Sequence, residues 1–138
     1  MRNSIFLDTH GWLAVLNATD SLHAQALESW LELMKQGNQV VLTDWIIAET
    51  GNGLARSQTK GRFVQVVEEM MEAPSVEVVL VDNDLLRSAL ASYAKYADKS
   101  WGLVDCASFV VMQDRGITDA FTSDHDFEQA GFKCLLSV

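Results

Sequence analysis

Four carboxylates stand out for the company they keep. Asp8 ends the apolar run Ile5, Phe6 and Leu7 and is followed by Thr9 and His10, while Asp124 follows Ala120, Phe121 and Thr122 through Ser123. Glu49 lies in IIAETGNGL and Asp105 in WGLVDCASFVV. A short buried strand that ends on an acid delivers that acid to the carboxyl edge of a sheet, where open α/β folds place their chemistry. Asp8 and Asp124 fit that placement directly. Asp105 and Glu49 fall near the starts of helices that leave the same edge, so the four acids can share one cleft. Carboxylates that converge raise one another's pKa unless a cation neutralises them. Oxygen ligands alone select Mg²⁺, with Mn²⁺ as its substitute, over zinc. Such an ion suits phosphodiester hydrolysis, because it polarises the phosphoryl oxygen, steadies the leaving oxygen and activates a water. On this reading Asp8, Asp105 and Asp124 are metal ligands and Glu49 acts through water or orients the attacking water. No side chain need be the nucleophile.

Each acid also has a plainer explanation. An Asp after a strand is often a helix cap, and Asp105 suits the positive end of a helix dipole. Ile46, Ile47 and Ala48 suggest that Glu49 sits in a sheltered segment. Spacing alone leaves both explanations open. Asp126 is a further acid ranked below Asp124. Thr9 and Ser123 are candidate hydroxyls for orienting carboxylates, or ordinary turn residues. His10 receives no role, since this hydrolysis requires no general base.

The elements that must position these residues follow from periodicity. Ser4 to Leu7 reads as a strand, Trp12 to Leu16 as a short helix, and His23 to Gln36 as an amphipathic helix ended by Gly37 and Asn38. Gln39 to Leu42 is a second strand running to Thr43 and Asp44, which can cap a helix from Trp45 to Arg56. Gln58 to Ala73 is helical and stops at the single proline, Pro74. Val76 to Val81 is a third strand, and Asp82 caps a helix to about Ala97. A polar loop, Asp98 to Gly102, leads into a helix from Leu103 to Arg115. Ala120 to Thr122 makes a fourth strand, Phe127 to Ala130 a helical turn, and Lys133 to Leu136 a fifth, edge strand. Strands separated by helices imply parallel pairing with right-handed crossovers. The expected fold is one three-layer α/β/α domain over residues 1–138, with a central, mainly parallel sheet of four or five strands.

Composition sets the bounds. The chain has 138 residues, 49% of them apolar, so it can bury a core without staples. Its opening segment, with Arg2, has neither a leader's apolar stretch nor a membrane span. Cys106 and Cys134 lack metal-ligand spacing and read as buried thiols in a reducing cytoplasm. The net charge of −9 excludes a protein that holds nucleic acid by a broad basic surface. It leaves room for a nucleic-acid enzyme whose cleft is locally inverted by cations. Arg56, Lys60 and Arg62, and Lys95, Lys99 and Trp101, are candidate RNA contacts, or else solvated charges and a core tryptophan. Trp12, Trp30 and Trp45 are assigned to packing.

Taken together, IFLDTH, IIAETGNGL, WGLVDCASFVVMQDRGI and AFTSDHDFEQAGF resemble the PIN-domain family and, within it, the VapC-type toxins of bacterial toxin–antitoxin pairs. The similarity runs from Ile5 to about Leu136. It implies a Mg²⁺-dependent endoribonuclease with an acidic quartet at Asp8, Glu49, Asp105 and Asp124. It also implies an RNA substrate, frequent homodimerisation and inhibition by a cognate antitoxin. A haloacid-dehalogenase-like phosphatase would need a second Asp at position 10, where His10 stands. A receiver domain would need its Asp after the third strand and a late lysine that Lys133 is poorly placed to supply. A scaffold kept only for binding RNA or protein has little reason to retain four converging carboxylates.

Overall fold

A computed structural model describes residues 3–138; Arg2 lies outside the described residues. Five parallel strands form one sheet in the order β3-β2-β1-β4-β5. Strand β1 (Ser4–Leu7) is central, pairing with β2 (Gln39–Thr43) on one side and β4 (Asp119–Phe121) on the other. Ile5, Phe6 and Leu7 are buried, as expected of a strand covered on both faces. Strand β3 (Val76–Val79) and strand β5 (Lys133–Cys134) are the edges. On edge strand β3, exposed Glu77 pairs with Arg115.

Alternating residues of β1 show how the layers divide. Leu7 joins Trp12 of α1 (Thr9–Leu16), Trp30 of α2 (His23–Lys35) and Val66 of α4 (Lys60–Glu72) around a pocket on one face. Phe6 meets Phe127 of α7 (His125–Gln129) on the other face, and Phe127 packs edge-on against Phe109 of α6 (Leu103–Arg115). Helix α5 (Asn83–Lys95) packs on α6, and α3 (Asp44–Gly53) packs on α1. The three-layer architecture expected from the sequence is therefore present, with all five strands parallel.

Several boundaries move for local reasons. Helix α1 starts at Thr9 rather than Trp12, because the Asp8 side chain accepts the His10 N–H and begins the helix immediately. Helix α3 starts at Asp44, capped by Thr43 Oγ1, and ends at Gly53 rather than Arg56, closed by the Leu54 N–H on the Thr50 and Gly51 carbonyls. Strand β3 stops at Val79, and the Val81 N–H is taken by Asp44 Oδ1 at 2.9 Å instead of a strand partner. Helix α7 begins at His125, capped by Asp124, rather than at Phe127. Cys106 is buried but Cys134 is only half-buried; both are free thiols. Among the described residues no helix is long and apolar enough to cross a membrane.

Helix α1 is seated tightly enough on β4 that only glycine fits at position 11. A Cβ there would lie 2.0 Å from the Phe121 carbonyl oxygen, a backbone atom that cannot turn aside. Gly11→Ala is expected to lower stability by about 3 kcal/mol, measured by urea denaturation.

Candidate active site

The site is assembled from the ends of β1 and β4 and the starts of α6 and α7. Asp8 is 1% exposed and caps α1. Its Oδ2 accepts the Thr122 hydroxyl at 2.7 Å and faces His10 Nδ1 at 3.2 Å. Two residues past Thr122, Asp124 caps α7 by accepting the Asp126 N–H at 3.0 Å, and its own N–H donates to Thr122 Oγ1 at 3.1 Å. Thr122 therefore ties the two acids together, giving to one side chain and accepting from the other's backbone. Asp105, in the first turn of α6, accepts the Gly102 N–H on Oδ2 at 3.1 Å.

Two groups of side chains bring their ligand atoms within 4.8 Å of one another. One is Asp8, His10 and Asp124; the other is Asp105, Asp124 and Asp126. Asp124 belongs to both, so the four aspartates form one cluster hinged on it. Every hydrogen bond to Asp8 and to Asp105 falls on Oδ2, which leaves each Oδ1 without a protein partner among the described residues. The donor set is four carboxylates with one imidazole, a set that suits a hard divalent cation better than zinc.

The electrostatics reflect the crowding. Burial first, and then the negative charges of Asp8, Asp124 and Asp126, push Asp105 from its ordinary 3.8 up to about 7, against the lowering effect of the Gly102 N–H. Asp126 is raised as well, by burial and then by Asp124. His10 rises to about 9, chiefly through its hydrogen bond to Asp8, with burial opposing and the charges of Asp8, Asp124 and Asp105 adding. It is therefore protonated at neutral pH and donates to Asp8.

These positions sort the sequence expectations. Asp8, Asp105 and Asp124 are brought together, and Asp126 joins them. Glu49 is in neither group and is exposed, not sheltered. Ile46 and Thr50, one turn apart, take the buried face of α3 and leave Glu49 turned to solvent. The hydroxyl that holds Asp8 belongs to Thr122, which the sequence reading passed over; that of Thr9 pairs with Thr50 at 3.2 Å. Thr122 sits at the strand end two residues before Asp124, and that adjacency was the available signal. His10, given no role from sequence, lies against two of the acids. Trp101 is a core residue, its ring against Tyr96 and Phe109 and its Nε1 donating to Gln129 Oε1 at 3.1 Å.

Comparison with known proteins fits this geometry. The sequence model of the PIN domain matches residues 5–133. The chain belongs to the PIN-domain family. It is 30% identical over 128 residues to the 23S rRNA-specific endonuclease VapC20 of Mycobacterium tuberculosis, covering 93% of this chain and 95% of that relative. The PIN fold here also superposes on the crystal structure of M. tuberculosis VapC20, described as a sarcin–ricin loop cleaving toxin. That match has a TM-score of 0.82 at 29% identity, over 94% of this chain and 96% of that one. VapBC2 from Rickettsia felis, solved bound to a DNA fragment from their promoter, shares the fold with a TM-score of 0.64 at 14% identity, over 97% of this chain and 98% of that one.

The raised carboxyl of this PIN domain has a direct consequence for stability. A group whose folded pKa exceeds its unfolded value binds its proton more tightly when folded, so its contribution fades as pH rises through the interval between the two. For Asp105 that interval runs from 3.8 to about 7. In EDTA, wild-type protein should therefore lose stability relative to Asp105→Asn as pH is raised from about 5 to about 8, followed by thermal denaturation at each pH. A difference that stays constant across that range would contradict the placement of Asp105 among the other acids.

Proposed function

We propose that this chain is a divalent-metal-dependent endoribonuclease that hydrolyses phosphodiester bonds in RNA, and that it acts as the toxin of a toxin–antitoxin pair. The observation that carries this reading is the aspartate cluster hinged on Asp124, at the end of the central strands of a PIN domain. Its likeness to a 23S rRNA endonuclease supports RNA as the substrate. Asp8, Asp105 and Asp124 are the proposed metal ligands, with Mg²⁺ the expected ion and Mn²⁺ its substitute. When bound, the ion polarises the phosphoryl group and activates a water for attack.

The chain's own residues do the rest. Thr122 orients Asp8 by donating to Oδ2, leaving Oδ1 for the ion. The Gly102 N–H does the same for Asp105. Protonated His10 offsets part of the cluster's negative charge where a phosphate must approach. Asp126 adds a fourth carboxylate from the first turn of α7. Glu49, exposed and outside both groups of clustered acids, is proposed to act through water. A homodimer is the expected assembly, and exposed Leu80, Leu90 and Tyr93 supply apolar surface for it. The relative's description as a toxin supports a protein partner that silences the activity.

Purified protein should cleave an RNA hairpin carrying the sarcin–ricin loop in Mg²⁺ or Mn²⁺ and stop in EDTA. Asp8→Asn, Asp105→Asn and Asp124→Asn should each lower the rate by at least about a hundredfold while leaving the circular dichroism spectrum unchanged. Glu49→Gln, acting through water, should cost about tenfold. Cleavage that persists in EDTA or in Asp8→Asn would refute the assignment.

A further inference from the structure

Beside the aspartate cluster lies a pocket of about 340 Å³ that the chemistry above does not use. Its floor is aromatic: Trp101 and Phe109 meet edge-on at 5.1 Å, and the Tyr96 ring lies 5.0 Å from Trp101. Its rim carries Lys95, Lys99 and Gln129, and no carboxylate lines it. Tyr96 is 37% exposed, whereas Trp101 at 9% is held in place by its hydrogen bond to Gln129. That bond uses Gln129 Oε1 and leaves the amide nitrogen as a donor. The Lys95 ammonium stands 5.3 Å from the centre of the Tyr96 ring. Among the described residues the one ion pair of Lys99 is with Asp98, at 3.9 Å, with both side chains exposed.

The pocket and the acids share their walls. On α6, Asp105 belongs to the acidic cluster, and Phe109 and Gln113, one and two turns further on the same stripe, line the pocket. On α7, Asp126 belongs to the cluster and Gln129 and Ala130, one turn on, line the pocket. One helical turn is about 5.4 Å, so the two features are neighbours along both helices. The loop residue Trp101 joins them, since the next residue, Gly102, holds Asp105 through its N–H.

The charge pattern indicates what the pocket takes. The chain carries ten basic residues against nineteen acidic ones, yet two of the ten flank this aromatic floor within five positions. Cations beside the exposed Tyr96 ring, with an amide donor at the edge, match an unpaired nucleotide: a base to stack, an edge to hydrogen-bond, and phosphates to pair with ammonium groups. We infer that the pocket formed by Tyr96, Trp101, Phe109 and Gln129, with Lys95 and Lys99 on its rim, is a binding subsite for a nucleotide of the RNA next to the bond that is cut. This inference rests on the endoribonuclease reading and adds the element that holds the substrate in register with the carboxylates.

The test separates binding from cleavage. In the Asp8→Asn background, fluorescence anisotropy with a labelled single-stranded RNA dodecamer reads affinity without turnover. Adding Tyr96→Ala should weaken binding about tenfold. Adding Lys95→Ala with Lys99→Ala should weaken it and flatten the slope of log affinity against log salt by about 1.4, the effect of losing two phosphate contacts on a single strand. Lys35→Ala, on α2, should change neither. Unchanged affinity and slope in the pocket variants, or no binding of the dodecamer by the parent, would overturn the subsite. So would variants that alter the protein's mass in sedimentation while binding RNA normally, because the face would then belong to a protein interface. Failure of the nuclease reading shows elsewhere, as wild-type protein that does not cleave RNA in Mg²⁺.

Discussion

Carboxylates gathered within a few ångströms repel one another, and the local structure around this cluster consists largely of devices that offset the repulsion. Thr122 donates to Asp8, the Gly102 N–H to Asp105, the Asp126 N–H to Asp124, and protonated His10 stands between Asp8 and Asp124. The compensation is incomplete. Asp105 still rises to about 7, through burial first and then through the charges of Asp8, Asp124 and Asp126. Because Asp8 and Asp124 also cap α1 and α7, holding these acids and starting the helices are one act.

Apolar packing sets how firmly that arrangement is held. Phe6 on β1 meets Phe127 on α7, Phe127 meets Phe109 on α6, and Phe109 meets both Trp101 and Phe132. Two of these contacts are tilted and two are edge-on, and aromatic pairs of this kind add about 0.5 to 1.5 kcal/mol each beyond the area they bury. Their larger effect is geometric, since they fix α6 and α7 against the central strand that ends in Asp8. On the opposite face, Trp12 against Phe63 joins α1 to α4, and Trp30 against Phe121 fixes α2 to the sheet. The acids converge because their helices cannot slide.

The sequence carried the fold well, since apolar runs ending on acids and helices ending on Gly or Pro map closely onto the elements observed. Where it misled, a single local interaction was responsible. Trp12 looks like the start of α1 because polar Thr9 and His10 and then Gly11 interrupt the apolar pattern, although Asp8 starts the helix at Thr9. The question of whether Asp8 and Asp124 were caps or site residues had no answer in spacing, and the structure shows why: both cap a helix with one oxygen and still reach the cluster. Glu49 was misjudged as sheltered from its apolar neighbours, although helical periodicity puts Ile46 and Thr50, not position 49, on the buried face. For Thr122 the sequence offers only its adjacency to Asp124, because its hydroxyl finds Asp8 only when the neighbouring strand places that acid opposite it. His10 was set aside on mechanistic grounds, while its position two residues into a capped helix brings it back over the acids.

The central claim is that Asp8, Asp105 and Asp124 form one cation site. Anomalous diffraction from crystals grown in Mn²⁺ tests it most directly. The account predicts a manganese peak among Asp8, Asp105 and Asp124, lost in Asp124→Asn crystals. Crystals grown at a Mn²⁺ concentration that saturates cleavage, with no peak among these residues, would contradict it.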